Sequence, residues 1–259
     1  MKLVSWNVNS LKVRLPQLLE WLGRHGPDIV CLQETKVEDD KFPVLEFEAA
    51  GYRCAWSGQK TYNGVAILSR VGLRDVASGM PAFPDDQKRL IAASAGEGAQ
   101  GLRVVCVYVP NGRAVGTEKY EYKLKWLSAC QSWLGQELGR SRRIAVLGDY
   151  NVAPEDADVH DPKVWEGQVL CSAPEREAFR SLLALGLKDA FRLFSQREES
   201  FTWWDYRMNA FKRNLGLRID HVLLGSELAS RCRGCTIDLE PRRAERPSDH
   251  APVIVELDP

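Results

Sequence analysis

Several acids in the chain fall where a charge is costly, at the ends of short apolar runs. Leu32-Gln33-Glu34, Leu147-Gly148-Asp149, Leu217-Arg218-Ile219-Asp220 and Ser248-Asp249-His250-Ala251-Pro252 each set a carboxylate at a predicted strand boundary, and Asn7 and Asn151 are amides in equivalent settings. Polar groups at buried strand ends are expensive unless they are used there. One such acid is ordinarily a turn or capping residue, but several in ordered positions point to a shared site. Oxygen donors without converging histidines or thiolates suit Mg²⁺, Mn²⁺ or Ca²⁺ rather than zinc. Magnesium takes one or two carboxylates and fills its remaining positions with water and substrate phosphate. The chemistry implied is attack on a phosphate ester, with His250, directly after an acid, as acid, base or charge clamp.

The remaining histidines carry less. His25 lies on a predicted surface helix, His221 sits inside a strand where a core role is expected, and His160 is in a polar loop with no assigned role. The seven cysteines are an odd number, and several lie in apolar or periodic stretches, the usage of reduced thiols in a reducing compartment. Cys232-Arg233-Gly234-Cys235 lacks the second pair a zinc ribbon needs, so packing is expected of it.

The 35 Lys and Arg balance the 35 Asp and Glu, so a polyanionic partner must be met by a local basic patch rather than an overall field. Arg207, Lys212, Arg213 and Arg218 cluster after the pair Trp203-Trp204. Lys88, Arg89, Lys119 and Lys123 offer phosphate contacts elsewhere. At least one of the two indoles, between polar Thr202 and Asp205, should reach the surface and stack on a base or fill the gap left by a missing one. With 44% hydrophobic and 27% charged residues the composition is that of an ordinary globular chain, which excludes disorder, collagen-like repeats and a disulfide-stapled mini-fold. MKLVSWNVNS turns polar too soon for a signal peptide, and no stretch reaches the length of a membrane span. The cytoplasm is the default location.

The elements that must position these residues follow from periodicity. Strands are predicted at Lys2–Trp6, Asp28–Leu32, Tyr52–Trp56, Gly64–Ser69, Arg89–Ser94, Leu102–Tyr108, Ile144–Leu147, Arg218–Leu224 and Pro252–Leu257. Helices are predicted from Leu11 to Leu22, around Val44–Ala50, along Tyr120–Leu138 and around Pro174–Leu185. No Ser/Gly-rich linker divides the chain. The expectation is one α/β domain over residues 1–259, two packed sheets with helices outside.

The strings Ser5-Trp6-Asn7-Val8-Asn9, Leu32-Gln33-Glu34-Thr35-Lys36, Leu147-Gly148-Asp149-Tyr150-Asn151, Leu217-Arg218-Ile219-Asp220 and Ser248-Asp249-His250-Ala251-Pro252 resemble the exonuclease III family of apurinic/apyrimidinic endonucleases from end to end. A wider superfamily, with deoxyribonuclease I-like nucleases, inositol polyphosphate phosphatases and sphingomyelinases, shares these elements. Gly58-Gln59-Lys60 with Gly64-Val65-Ala66, and Phe201-Thr202-Trp203-Trp204-Asp205-Tyr206-Arg207, look like the DNA-repair branch. The resemblance implies a four-layer α/β sandwich, two mixed sheets packed face to face with helices outside. It also implies cleavage of DNA 5′ to abasic sites together with trimming of 3′ ends.

Residue by residue, the resemblance implies a Mg²⁺ or Mn²⁺ held by Glu34 with help from Asn7 and Asp249, a water prepared by Asp149, and Asn151 beside it. His250 contacts the scissile phosphate, Asp220 hydrogen-bonds that histidine, and Tyr108 lies near the phosphate. Asn111, Trp203, Arg207 and Arg218 contact DNA, with Trp203 at the abasic sugar and Trp204 in support. The implied partner is double-stranded DNA with abasic sites or blocked 3′ ends, met by a monomer. Ser10 departs from a common family glycine, and Asp158–Ser172 is a variable stretch near the substrate pocket, which leaves the balance of endonuclease, exonuclease and 3′-phosphatase activity open. No redox extension precedes the motifs, so no regulatory N-terminal role is expected. A soluble phosphodiesterase or phosphatase acting on a small phosphate, and a metal-dead DNA-binding module, are the rival readings. The intact acid cluster speaks against the module, and Trp203 with its basic neighbours against the small substrate.

Overall fold

The computed structural model describes residues 1–98 and 101–258. In chain order the elements are β1 (Lys2–Asn7), α1 (Leu11–His25), β2 (Ile29–Gln33), α2 (Val44–Ala49), β3 (Arg53–Ser57), β4 (Val65–Ser69), β5 (Leu73–Ser78), β6 (Leu90–Ala95) and β7 (Leu102–Tyr108). They continue with α3 (Glu118–Arg140), β8 (Ile144–Asp149), α4 (Pro162–Trp165), α5 (Ala173–Ala184), β9 (Lys188–Asp189), β10 (Asp220–Leu224), α6 (Ser226–Ala229), β11 (Cys232–Ile237) and β12 (Val253–Leu257).

The strands form two six-stranded sheets, ordered β11-β12-β1-β2-β4-β3 and β5-β6-β7-β8-β10-β9. Each has one parallel pair, β1 with β2 and β7 with β8, among antiparallel neighbours. Alternation along the strands sorts side chains into layers. Leu3, Ile29, Ile67, Val104, Leu147 and Val255 point into the core between the sheets. Val4, Trp6 and Val30 face the other way, onto Leu18, Trp21 and Leu22 of α1. Val105 and Val146 pack on Trp126, Leu127 and Leu134 of α3 and on Phe179 and Leu182 of α5. Helix, sheet, sheet, helix is the expected four-layer sandwich, and near-continuous apolar strands are what double-sided burial demands.

Three strands have no counterpart in the sequence reading, one of them β9, whose two residues are too short a run to carry a pattern. β5 is mostly exposed and polar, so it carries no apolar pattern to find. β11 contains Cys232 and Cys235, both buried against β12 on one face, which is the packing role expected of that pair. Lys123 also departs from expectation. It lies on the buried stripe of α3 with Tyr120, Trp126, Leu127 and Cys130, fully enclosed, and is no surface phosphate contact.

The topology brings the chemistry to one end. Asn7 and Gln33 close the parallel pair β1–β2, and Tyr108 and Asp149 close β7–β8. Asp220 opens antiparallel β10 directly opposite Asp149, while 248–250 runs into β12, antiparallel to β1. Gly148 allows Asp149 its place, because a Cβ there would stand 2.0 Å from the Val107 carbonyl oxygen and 2.6 Å from Val107 Cγ2. Gly148→Ala should therefore force β7 and β8 apart and cost about 1–3 kcal/mol or more by overpacking. The urea midpoint should fall with an unchanged slope; a midpoint equal to that of the native chain would show that the sheets yield freely there.

Candidate active site

The loops leaving β1, β2 and β8 carry left-handed residues. Asn9 (φ 43°), Ser10 (φ 90°), Glu34 (φ 52°), Lys36 (φ 54°) and Asn151 (φ 48°) all have positive φ, a concentration of backbone strain at one place. Cross-loop hydrogen bonds hold it, from Ser10 N to Glu34 O at 2.8 Å, Leu11 N to Thr35 O at 2.9 Å and Lys36 N to Asn63 O at 2.9 Å.

Inside this frame Asn7 donates through Nδ2 to Glu34 Oε1 at 2.8 Å and to Asp149 Oδ2 at 2.9 Å, bridging two acids from different sheets. Asp149 also accepts from the Asn151 backbone N–H at 2.9 Å. His250 Nδ1 lies 2.8 Å from Asp220 Oδ2 and its Nε2 lies 3.7 Å from Asp149 Oδ2. Burial pulls the imidazole pKa down, but the Asp220 and Asp149 carboxylates outweigh this and push it up to about 10. His250 is therefore an imidazolium at neutral pH, with Nδ1–H donating to Asp220. Asp149 is pushed up to about 7, by burial first and by Asp220 and Glu34, against the pull of His250. The Tyr108 hydroxyl is raised well above its usual range by burial and by the charges of Glu34 and Asp149, and the Arg89 guanidinium lies 4.6 Å above its ring.

The donor set can be tested for a divalent cation. Glu34, Asp149 and His250 each present a ligand atom, all within 4.8 Å of one another. The charged imidazole has no free lone pair, which leaves the two carboxylates, a set that fits an oxygen-loving cation with water and phosphate as further ligands. Lys36 Nζ already lies 2.9 Å from Glu34 Oε2, a sign that this carboxylate collects positive charge. Asn7 turns its amide nitrogen, not its oxygen, toward the acids. Asp249 accepts from Asn9 Nδ2 at 2.8 Å and from Trp203 Nε1 at 3.0 Å, and reaches Glu34 only through Asn9 and Lys36.

Beside Asp149, Asn111 Nδ2 donates to Asn151 Oδ1 at 3.0 Å, and Asn151 Nδ2 to the Val109 carbonyl at 3.0 Å. On the opposite rim Trp203 is half-buried, next to His250 and Leu217. Trp204 is buried against Phe201, Ala210 and Ala251, the supporting position.

The endonuclease/exonuclease/phosphatase family model matches residues 4–250. The chain belongs to this family. It is 38% identical to Exodeoxyribonuclease III of Haemophilus influenzae over 99% of this chain and 100% of that one. Among solved structures it is similar to the 3′ phosphatase NExo from Neisseria bound to product DNA hairpin, at TM-score 0.97 and 47% identity, covering 100% and 99% of the two chains. An AP endonuclease from Archaeoglobus fulgidus gives TM-score 0.94 and 40% identity with 100% of both chains covered. The chain is accordingly a hydrolase of the nuclease kind.

One DNA-contact expectation fails within this family frame. Arg218 is buried, with Nε 2.7 Å from Asp158 Oδ1 and NH1 2.8 Å from Asp189 Oδ2, so its charge is matched inside the protein. Enclosed at 2% exposure, it has no side-chain surface to offer DNA. Arg207 is exposed and paired with Asp205 at 2.6 Å, an ion pair that a phosphate can compete for. His160 Nδ1 lies 3.2 Å from the Gly216 carbonyl and stands edge-on to Trp165. Lys36 and the buried Lys123 are functional-site neighbours to which sequence reasoning gave no such place. For Lys123 the signal was present, a cation three residues after Tyr120 and three before Trp126 on the apolar face.

His221 has the core role expected of it. Its Nε2 lies 2.9 Å from the Val152 carbonyl and its Nδ1 2.9 Å from Arg218 NH1, so Nδ1 accepts and the ring is neutral. Burial and Arg218 hold its pKa down at about 3. The unfolded chain takes up a proton near pH 6.5 that the folded chain refuses until about pH 3, so stability is lost as pH falls through that window. Relative to His221→Gln, the native chain should lose up to about 1.4 kcal/mol per pH unit below 6.5. Urea midpoints of both at pH 7, 6 and 5 check this, and parallel curves would contradict it.

Proposed function

We propose that the chain is a DNA-repair nuclease that hydrolyses phosphodiesters 5′ to abasic sites and trims blocked or recessed 3′ ends, as a 3′–5′ exonuclease and 3′-phosphatase or phosphodiesterase, with Mg²⁺ or Mn²⁺. The observation that carries this reading is the juxtaposition of Asp149 and the imidazolium of His250, 3.7 Å apart at one strand end. One group with a pKa of about 7 is suited to take a proton from water near neutrality, and the other stays charged to face a phosphate. Relatives named as exodeoxyribonuclease III, 3′ phosphatase and AP endonuclease along the full chain support DNA as the substrate.

In this mechanism the phosphate lies between Glu34 and His250. Asp149 orients a water and accepts its proton as the water oxygen bonds to phosphorus and the bond to the 3′ oxygen breaks. His250 donates from Nε2 to a nonbridging oxygen, and Asp220 keeps the ring charged and aligned. Asn151 and Tyr108 border the same phosphate. A Mg²⁺ or Mn²⁺ would be held by Glu34 with Asp149 beside it, Asn7 orienting both carboxylates and Asp249 standing one step back through Asn9 and Lys36, and would supply positive charge for the developing negative charge. Trp203 lines the abasic sugar, with Asn111 and Arg207 toward the DNA strands. Since β1 and β12, the first and last strands, carry Asn7 and the 248–250 segment to the same end, residues 1–259 act as one catalytic unit.

Incision of an abasic duplex, followed on a gel, tests the whole reading. Native protein should cleave with Mg²⁺ or Mn²⁺ and stop in excess EDTA with its fold kept, Glu34→Ala should need far more metal, and Asp149→Asn should bind the duplex but turn over by several orders of magnitude less. Full activity in EDTA, or native turnover by Asp149→Asn, would sink the assignment.

Trp203→Ala separates DNA from the small-substrate rival. Losing one stacked contact of about 1–3 kcal/mol should slow abasic cleavage roughly ten- to a hundredfold while sparing a small phosphodiester. Equal losses on both substrates would make the indole structural.

A further inference from the structure

The basic side chain most deeply enclosed beside the site has no part in the mechanism above. Lys123, on α3, is 0% exposed and forms an ion pair with Glu175 of α5, also 0% exposed, the two charges in direct contact. Its ammonium has two further partners. Nζ donates to the Asn151 carbonyl at 2.6 Å and to the Asn111 carbonyl at 3.2 Å, the backbone of the two amides flanking Asp149. Glu175 holds a third loop, accepting from Leu170 N at 3.0 Å, Ser172 N at 3.1 Å and Ser172 Oγ at 2.6 Å, and Tyr120 of α3 closes the ring through a 2.7 Å bond to Ser172 Oγ.

The local sequence makes room for this cation. Gly112 has φ +90°, and a Cβ there would stand 3.1 Å from Lys123 Cδ and 3.3 Å from Val169 Cγ2. The lysine stem enters through the gap between loop and helix that the missing side chain leaves. Burial pulls the ammonium pKa down while Glu175 opposes that pull. A buried ion pair is a poor way to gain stability, because apolar groups of the same shape often do as well or better. What it does well is fix the positions of several acceptors at once.

We propose that Lys123, held by Glu175, is a positioning residue for the hydrolytic reaction, joining the loops at 109–112, 149–153 and 170–172 so that Asn151 and Asn111 keep their register against Asp149. Lys123 touches no substrate. It acts through two carbonyls, and the Asn151 backbone N–H that anchors Asp149 belongs to the same short turn. This inference rests on the reading of Asp149 as the water-activating group.

The test compares native chain, Lys123→Met, Lys123→Arg and the neutral pair Lys123→Met/Glu175→Gln, which leaves no unpaired buried charge and keeps one side-chain oxygen to accept from Ser172, at the loss of the Leu170 N–H acceptor. Melting temperature, kcat and KM on a metal-supplied abasic duplex are measured for each. The neutral pair should melt close to the native chain, turn over roughly ten- to a hundredfold more slowly, as small misplacements of catalytic groups do, and change KM less than threefold. Lys123→Arg, which keeps a donor, should recover part of kcat. Combined with Asn151→Ala, Lys123→Met should lose less than the product of the single losses, since both act on one turn. A folded neutral pair with native kcat, or a strictly multiplicative double loss, overturns the inference while native activity stands. A native chain inactive on the duplex instead fails the proposed function, so the two failures are told apart. Should Lys123→Met alone not fold, the neutral pair still decides.

Discussion

Burying Asp149 opposite Asp220 is the constraint on which the site depends. The two carboxylates lie on paired positions of neighbouring strands, enclosed from water, where like charges cannot both ionise at ordinary cost. The imidazolium of His250 lies against both, bonded to one and 3.7 Å from the other. Each group makes the others' charge states possible, which is why His250 stays protonated and Asp149 titrates near neutrality. Removing His250 leaves two like charges buried together, whereas removing either acid leaves the imidazolium with a single partner.

Such an arrangement needs a rigid frame, because electrostatic attraction in a buried site is lost quickly with displacement. The frame is the meeting of the two sheets. Asn7 from the first sheet bonds Asp149 of the second, and Ser248 Oγ donates to the Asn7 carbonyl at 2.7 Å, tying the start of the chain to its last strand. The strained left-handed residues at 9, 10, 34, 36 and 151 persist because the apolar core beneath them and the hydrogen bonds across the loops outweigh their conformational cost.

The basic residues divide into two groups with different work. Arg218, Lys123 and Arg242 are buried and neutralise or brace interior groups, Arg242 donating to the Ser248 carbonyl at 2.6 Å while its guanidinium lies 4.7 Å from the Phe211 ring. Arg89, Arg113 and Lys119 line an open cleft of about 520 Å³ running from Glu34 and Tyr108 past Asn111. With no net charge on the chain, attraction for a polyanion must come from such local surfaces.

The sequence by itself determined the layered α/β fold and the identity of the acids, because apolar strand runs ending in carboxylates are local features that survive without knowledge of the partners. The helical stripe of α3 and the boundary positions of Glu34, Asp149, Asp220 and Asp249 were all legible in this way. Tertiary structure alone decided which charges meet. Nothing in the spacing of Arg218 distinguishes a surface arginine from one locked between Asp158 and Asp189, since those partners lie far away in the chain. Polar, exposed β5 was invisible because its place comes from pairing with β6 and not from its own pattern. Lys123 shows the same limit from inside a well-predicted helix. The sequence reading took it for a surface phosphate contact, and only the approach of Glu175, Asn111 and Asn151 from three other segments makes a buried ammonium tolerable there.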